Sequence, residues 1–264
     1  MRPLVMGIVN ATPDSFYDGG LHRDLVAHGR RLVDQGADWI DVGGESTRPG
    51  SMPVGEQEEC DRVLPVIEAL AKRTVVSIDT TKPGVARQAL GAGARIINDV
   101  KGLCDPEMVA LTEQAWGTVV MHSRGTPATM NGMVEYGDLV EEVAVSLVES
   151  ARRARSPHVW IDPGIGFAKT ATQSVLLLRH IRQLVDTGFP VLVGASRKSF
   201  IGHTLGIGSP DDRLAGSLAA AAAAYHGGAS VVRVHDVAHT CQFLDMLEAI
   251  VQRPEASILR PPLT

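Results

Sequence analysis

One loop of this sequence has the features of a binding site for an anionic ligand. The stretch from Pro190 to Phe200 reads PVLVGASRKSF, an apolar run that ends in small residues and two cations, Arg197 and Lys198. Backbone N–H groups and positive charge at the end of a buried strand can bind an anion. A polar loop with two solvated cations is the alternative for this stretch alone. The residues at the ends of the other apolar runs decide between the two.

Polar side chains also stand directly after the other apolar runs of the chain. A helix cap or a solvated loop would explain any one of them. Eight in succession are hard to explain in that way, so we expect them to share one site. In chain order they are Asn10, the segment from Gly43 through Glu45 to Arg48, Asp79, Asn98 with Asp99, His122, Asp162, Lys198, and Arg233 with His235.

Four members of this set are cations or hydrogen-bond donors. An acidic protein that gathers such groups at one face is expected to hold a phosphate-rich ligand there. Mg²⁺ takes few protein ligands, so an oxygen-rich Mg²⁺ site formed by Asn10 and substrate phosphates is also predicted. The four residues are Arg48, Lys198, Arg233 and His235.

Three other members supply carboxylate and amide groups. Asp79, Asn98 and Asp162 could match the donor and acceptor edge of a flat aminopyrimidinone heterocycle. Met121 and Phe167 could form apolar walls beside such a ring. The set therefore predicts an anion site next to a heterocycle site.

Composition limits the class of protein. A net charge of −5 and a pI near 6.0 argue against a nucleic-acid or anionic-membrane partner, which would need a broad basic surface. Three widely spaced cysteines, Cys60, Cys104 and Cys241, indicate a reducing compartment. The short apolar run before Asn10 is too small for a signal peptide, and no run approaches the ~20 residues of a membrane span. These features predict a soluble cytoplasmic protein.

The elements that must position these side chains form a repeating pattern. Eight short apolar runs alternate with amphipathic helices, which predicts a parallel sheet buried on both faces. Eight such units in about 250 residues favour a single (β/α)8 TIM barrel domain over residues 1–264, with the ligands at the carboxyl ends of the strands. An open doubly wound sheet is the alternative. The predicted strands are 4–9, 39–42, 75–78, 95–97, 118–121, 159–161, 191–193 and 231–234, and the predicted helices lie near 25–33, 55–71, 83–90, 106–114, 136–155, 172–186, 213–225 and 237–251.

Eight sequence blocks occur in order from Met6 to about Val237: NATPDSFYDGG, DVGGESTRPG, SIDTTKP, INDVKG, MHSRGTPATM, DPGIGF, GASRKSF and RVHD. Together they resemble the dihydropteroate synthases, the folate-pathway enzymes that sulfonamides inhibit. The resemblance implies a (β/α)8 fold. It also implies a transferase that joins 4-aminobenzoate to 6-hydroxymethyl-7,8-dihydropterin diphosphate, giving 7,8-dihydropteroate and diphosphate.

The resemblance implies roles for individual residues. The pterin-binding set is Asp79, Asn98, Met121, Asp162, Phe167, Gly194 and Lys198. The diphosphate-binding set is Asn10, Arg48, Arg233 and His235, with Asn10 also near Mg²⁺. Aminobenzoate would contact Phe16, Thr47, Pro49, Lys198 and Ser199, between two mobile loops at 11–20 and 46–51. The catalytic set would be Asp18, Thr47, Arg48, Asp79 and Lys198.

The predicted helix 214–225 indicates an interface. It reads LAGSLAAAAAAY, small or apolar almost all round, with only Ser217 and Tyr225 as polar groups. Related enzymes commonly pair through helices late in the barrel, so a homodimer built on this helix is expected. Burial of the helix under the C-terminal tail, residues 253–264, is the alternative.

Three other functions fit part of the pattern. A folate-dependent methyltransferase acting with a corrinoid protein would explain Asp79, Asn98 and Asp162, but it leaves the cations without a diphosphate. A non-catalytic pterin-binding paralogue is a second alternative, against which the intact Asp18, Thr47 and Arg48 speak. A Schiff-base aldolase using Lys198 is a third, although a lysine beside an anion site is better placed to bind than to form an imine.

Overall fold

The predicted barrel is confirmed by eight parallel strands that pair in a ring. The structure, a computed structural model, describes residues 1–12, 21–46, 51 and 53–251. The strands pair in the order β6-β5-β4-β3-β2-β1-β8-β7. The backbone N–H of Ile161 donates to the carbonyl of Pro190 at 3.0 Å, and a parallel bridge joins Ile161 to Val191, so β6 and β7 complete the ring. The strands are β1 Leu4–Asn10, β2 Trp39–Gly43, β3 Val75–Asp79, β4 Ile96–Asp99, β5 Gly117–Met121, β6 His158–Asp162, β7 Leu192–Val193 and β8 Val231–Val234.

Helices come after the strands and cover the outside of the ring. Among the described residues, no helix is long and apolar enough to cross a membrane. The helices are α1 Leu21–Asp34, α2 Glu56–Leu70, α3 Pro83–Gly91, α4 Pro106–Leu111, α5 Leu139–Ala151, α6 Ala171–Arg179, α7 Ile181–Val185, α8 Ser199–Leu205, α9 Leu214–Gly227 and α10 Val237–Val251.

Local chemistry moves several boundaries from their predicted places. The helix predicted over 136–155 begins at Leu139, because Asp138 accepts hydrogen bonds from the N–H groups of Val140 and Glu141 and so caps it. The helix predicted over 172–186 is two helices, since the chain leaves helical geometry at His180. Helix α8, directly after Lys198, was not predicted; its seven residues are too few for a clear period.

Apolar side chains close the amino-terminal end of the barrel interior. Trp39 and Trp160 meet edge to face with ring centroids 5.1 Å apart. The full layer is Met6, Trp39, Ile96, Val119, Trp160, Leu192 and Val231, with Val75 and Trp116 packed against it. This layer forms a floor that closes the interior at the amino-terminal ends of the strands.

Candidate active site

Six positions of the candidate site converge because each lies two residues after a floor residue. Successive side chains of a strand point to opposite faces, so a residue two places on from an inward-facing residue also points inward. The rule brings six side-chain or backbone positions into one layer above the floor. The pairs are Trp39 with Asp41, Ile96 with Asn98, Val119 with Met121, Trp160 with Asp162, Leu192 with Gly194, and Val231 with Arg233.

Arg233 lies at the centre of this layer and bonds to two carboxylates. Its Nε donates to Asp41 Oδ2 at 2.6 Å, and one terminal nitrogen donates to Asp79 Oδ2 at 2.9 Å. Asn98 Nδ2 donates to the same Asp41 oxygen at 3.0 Å. Asp41 is completely buried, whereas the Asp79 side chain retains 14% of its exposure. Strands β2, β3, β4 and β8 are therefore joined by one charged network under the mouth of the barrel.

The Asp79 carboxyl is set to titrate near neutrality. Burial raises its pKa to about 7, the negative charge of Asp41 adds to the rise, and Arg233 opposes it. Asp79 can therefore change protonation state at a pH where an ordinary aspartate cannot, as expected of a group that meets developing charge in a reaction.

Asp162 and Lys198 form a second charged group on the opposite side of the ring. Asp162 Oδ1 accepts from the N–H of Gly164 at 2.8 Å, and burial raises the pKa of this carboxyl. Lys198 Nζ donates to the carbonyl of Ile165 at 2.6 Å and lies 4.7 Å from the centre of the Phe167 ring. Burial lowers the pKa of Lys198 to about 8, while the Asp162 charge opposes that shift. Lys198 thus stays a cation at neutral pH and loses its charge in mild alkali.

The neighbouring cations Arg197 and Lys198 have different roles. Arg197 is in the left-handed region at φ 58°. Its guanidinium donates twice to Asp236, at 2.9 and 2.6 Å, and once to Asp211 at 2.5 Å. These bonds hold Arg197 in a structural ion pair, so Lys198 is the residue of this loop that faces the barrel mouth.

The other predicted site residues that the structure describes lie around this layer. His235 comes directly after β8, and its backbone N–H and Nδ1 each lie 3.2 Å from the hydroxyl of Ser196. Asn10 is the last residue of β1, opposite Gly43 of β2, and Ser199 is the exposed first residue of α8.

A Cβ added to Gly194 would lie 3.8 Å from both Arg233 Cβ and Asp162 Oδ2, so glycine leaves open space between those side chains. Five predicted site residues lie outside the described residues: Phe16, Asp18, Thr47, Arg48 and Pro49.

Comparison with known proteins places this barrel in a family. Residues 6–235 match the model of the pterin binding enzymes. A dihydropteroate synthase of Synechocystis is 44% identical over 261 residues, covering 94% of this chain and 90% of that protein. The chain belongs to the dihydropteroate synthase family. It is therefore a transferase of folate biosynthesis.

Two solved members of the dihydropteroate synthase family carry ligands relevant to this site. The Xanthomonas albilineans enzyme, solved with 4-aminobenzoic acid, has a TM-score of 0.88 and 44% identity, with 96% of this chain and 94% of that chain covered. The Yersinia pestis enzyme, solved as a sulfonamide drug complex, has a TM-score of 0.85 and 40% identity, with 94% of both chains covered. The family of this chain therefore includes sulfonamide-binding enzymes.

Asp41 is a site residue that the sequence analysis did not predict. It lies inside the run predicted as a strand over 39–42, whereas the predicted site residues follow their runs. A carboxylate in the middle of a buried strand was the available signal, because an ionised group is buried only when it is paired. Its pairing partners, Arg233 and Asn98, come from β8 and β4 and could be known only from the barrel register.

The predicted Mg²⁺ site has Asn10 as its protein ligand. No group of three or more His, Cys, Asp or Glu side chains within the described ranges could hold a metal ion. Asn10 offers one neutral amide oxygen at the mouth of the barrel. A single protein oxygen suits Mg²⁺ that arrives with a diphosphate, since Mg²⁺ commonly takes phosphate and water oxygens for its other ligands.

Proposed function

We propose that the polar layer above the barrel floor binds 6-hydroxymethyl-7,8-dihydropterin diphosphate and directs its condensation with 4-aminobenzoate. The observation that carries the proposal is the pair of charged groups on facing sides of the ring, Asp41–Arg233–Asp79 and Asp162–Lys198. Carboxylates and an amide suit the donor-rich edge of a pterin, and the cations suit its diphosphate. Family membership supports the same substrates.

The pterin ring would be held by groups from four strands. Asp162 and Asn98 would pair with the amino and ring N–H groups of the pyrimidinone, and Lys198 would donate to a ring acceptor. Met121 is buried beside Asp162 in the strand register, and Phe167 lies under Lys198, so both can flank a flat ring. A Cβ on Gly194 would contact both Asp162 and Arg233, so glycine keeps this edge of the ring pocket free of a side chain.

The reaction breaks the bond between the pterin methylene carbon and the diphosphate oxygen and forms a bond from that carbon to the aminobenzoate nitrogen. The bonding pair leaves with diphosphate, and the new ammonium releases one proton. The Asp79 and Asp162 carboxylates would stabilise positive charge that develops on the pterin. Arg233 and His235, together with Arg48, would hold the leaving diphosphate. No covalent protein intermediate is needed.

Mg²⁺ would bind at Asn10 and contribute charge neutralisation on the diphosphate. Asn10 is the last residue of β1 and pairs with Gly43 of β2. Gly43 stands three residues before the second predicted loop, 46–51. The protein part of this role is to present an oxygen at the edge of the anion site, while Arg233 and His235 hold the phosphates from β8.

Aminobenzoate would lie between Lys198, Ser199 and the two predicted loops that carry Phe16, Thr47 and Pro49. If those loops close only over bound diphosphate and Mg²⁺, the second pocket does not exist in the free enzyme. Calorimetric titration should therefore detect aminobenzoate binding when a pterin, diphosphate and Mg²⁺ are present, and little or none without them. Strong binding to the free enzyme would show that the pocket is preformed.

A homodimer through α9 and α10 is also proposed. Ala219 on α9 and Met246 and Ile250 on α10 are exposed, and the two helices are in contact. Ser217, one of the two polar groups noted in this helix, is buried, accepts from Arg197 N and donates to Arg213 O, so it is not part of the outer surface. Small and apolar residues therefore dominate this outer surface.

The dimer is tested with Ala219→Glu. Ala220 is buried against its own chain, so its replacement would disturb the core rather than an interface. Sedimentation should show a dimer for the wild type and a folded monomer for Ala219→Glu. Val145→Glu, at an exposed apolar residue of α5, is the matched control and should remain dimeric. A monomeric wild type at micromolar concentration would remove this proposal.

A further inference from the structure

The loop after β6, residues 163–169, has a backbone that depends on outside contacts. Gly164, Gly166 and Ala168 all lie in the left-handed region, at φ 64°, 80° and 48°. Glycine adopts this region without strain, whereas Ala168 stays there only where surrounding contacts impose it. A Cβ on Gly164 would lie 1.9 Å from the carbonyl oxygen of His122, so the loop also passes tightly against the end of β5.

This loop determines where Lys198 lies. Its Ile165 carbonyl accepts the Lys198 Nζ hydrogen bond at 2.6 Å, and its Phe167 ring lies 4.7 Å from the same nitrogen. Displacing the loop would therefore remove both the polar and the aromatic contact that hold the Lys198 ammonium in the ring pocket.

Lys169 ties the end of this loop to β5. Its Nζ lies 2.9 Å from the Phe167 carbonyl, 2.9 Å from His122 Nδ1 and 3.4 Å from the His122 carbonyl. An ammonium has three donors, and these are three acceptors. Lys169 is 8% exposed, so few water molecules can compete for these bonds. The contact also requires His122 Nδ1 to be the unprotonated ring nitrogen.

Burial and nearby positive charges lower the pKa of Lys169, and the Asp162 carboxylate opposes them. Burial lowers the pKa of Lys169 to about 7, and the positive charges of Lys198 and Arg124 lower it further, while Asp162 opposes the shift. Burial likewise lowers the pKa of His122 to about 3, so His122 stays a neutral acceptor. The Asp162 charge therefore acts on the pKa values of two lysines, Lys169 from its own loop and Lys198 from the loop after β7.

We propose that Lys169 is a positioning residue of the pterin site: by binding Phe167 O and His122 Nδ1 it fixes the 163–169 loop and, through Ile165 and Phe167, the Lys198 ammonium. Lys169 itself does not touch the substrate in this role. The inference rests on the proposed function for the identity of the substrate, but the geometry that Lys169 maintains can be measured without substrate.

The first test is Lys169→Met, which keeps the length of the side chain and removes its donors. The KM for the pterin diphosphate should rise about tenfold, because a small displacement of a binding group has a large effect on a positioned reaction. The KM for aminobenzoate should rise less than the pterin KM, because Lys198 is only one of the groups proposed for that pocket. Lys72→Met, at an exposed lysine after α2, is the control and should leave both constants unchanged.

The second measurement needs no substrate. Reductive methylation followed by mass spectrometry should label Lys198 at least about fivefold faster in Lys169→Met than in wild type, because the released loop exposes its amine. Leu70→Ala, a core truncation in α2, should lower stability without this selective labelling. An inactive wild type would contradict the proposed function, whereas the labelling result would still test Lys169.

A second pair of variants covers the case in which Lys169→Met does not fold. His122→Asn can keep an acceptor near the Nδ1 position, while His122→Leu removes it. The leucine variant should show the raised pterin KM and faster Lys198 labelling, and the asparagine variant should lie closer to wild type. Equal behaviour of the two variants, or an unchanged KM and labelling rate in folded Lys169→Met, would overturn the inference.

Discussion

Replacing Arg233 with methionine should lower the free energy of unfolding at pH 8 by about 3 to 5 kcal/mol, the range for removing one partner from a buried ion pair. The structure explains why the effect is large. Arg233 alone bonds to both Asp41 and Asp79, and Asp41 is completely buried, so the variant leaves two carboxylates in a low-dielectric site without their cation.

The loss of stability in the Arg233 variant should be larger at high pH than at low pH. Arg233 lowers the pKa of Asp79 against burial and Asp41, so its removal raises the folded-state pKa further above the unfolded value. The unfolded chain then releases the proton at lower pH than the folded chain, and folded stability falls as pH rises from about 4 through the folded pKa. Urea unfolding should therefore show a smaller difference from wild type at pH 5 than at pH 8.

Two further variants make the Arg233 prediction specific. Arg233→Met combined with Asp41→Asn should recover part of the lost stability, because one unpaired charge is gone. Arg179→Met, at an exposed arginine of α6, should change stability by less than about 0.5 kcal/mol. A pH-independent loss, or no recovery in the double variant, would contradict the ion-pair explanation.

Asp79→Asn should lower the activity of the enzyme without lowering its stability. The change keeps the shape of the side chain but replaces one acceptor oxygen by an NH2 donor, which leaves a mismatched group facing the N–H groups of the pterin edge. We expect kcat/KM to fall at least about tenfold, which is about 1.4 kcal/mol of transition-state stabilisation. Steady-state kinetics of the purified variant would measure this loss.

At pH 8 the same Asp79 variant should be at least as stable as the wild type. The folded pKa of Asp79, about 7, is above its ordinary value, so the ionised carboxylate destabilises the fold as pH rises from about 4 to 7. The neutral asparagine removes this effect, and thermal unfolding at pH 8 should occur at or above the wild-type temperature. Asp34→Asn, at an exposed ion pair with Arg73, should alter neither property strongly. Wild-type activity in the Asp79 variant would refute its assigned role.

Sequence reasoning predicted the barrel and which polar residues stand at the carboxyl ends of its strands, because both depend on short-range patterns. Apolar runs and the polar residues after them located Asp79, Asn98, Asp162 and Lys198 at one end of the sheet. The strand period of two then explains why Asp79 and Asp162 face inward. The alternation of eight apolar runs with amphipathic helices was the pattern that predicted the barrel.

The pairing of charges could not be predicted from the sequence. Arg197 and Lys198 are adjacent, yet Arg197 bonds to Asp236 and Asp211 while Lys198 faces the site. Arg233 was predicted to hold diphosphate, a role that stays a prediction, and its bonds to Asp41 and Asp79 were unforeseen. These partners are separated by up to 192 residues in the chain and depend on the closed ring.

The proposed reaction is tested most directly by supplying the purified chain with 6-hydroxymethyl-7,8-dihydropterin diphosphate, 4-aminobenzoate and Mg²⁺. Chromatography with mass detection should find 7,8-dihydropteroate, and a phosphate assay after pyrophosphatase should find diphosphate in equal amount. Both products should disappear when either substrate is omitted and fall together in Asp79→Asn. Diphosphate release without dihydropteroate, or no product from a folded wild type, would contradict the account.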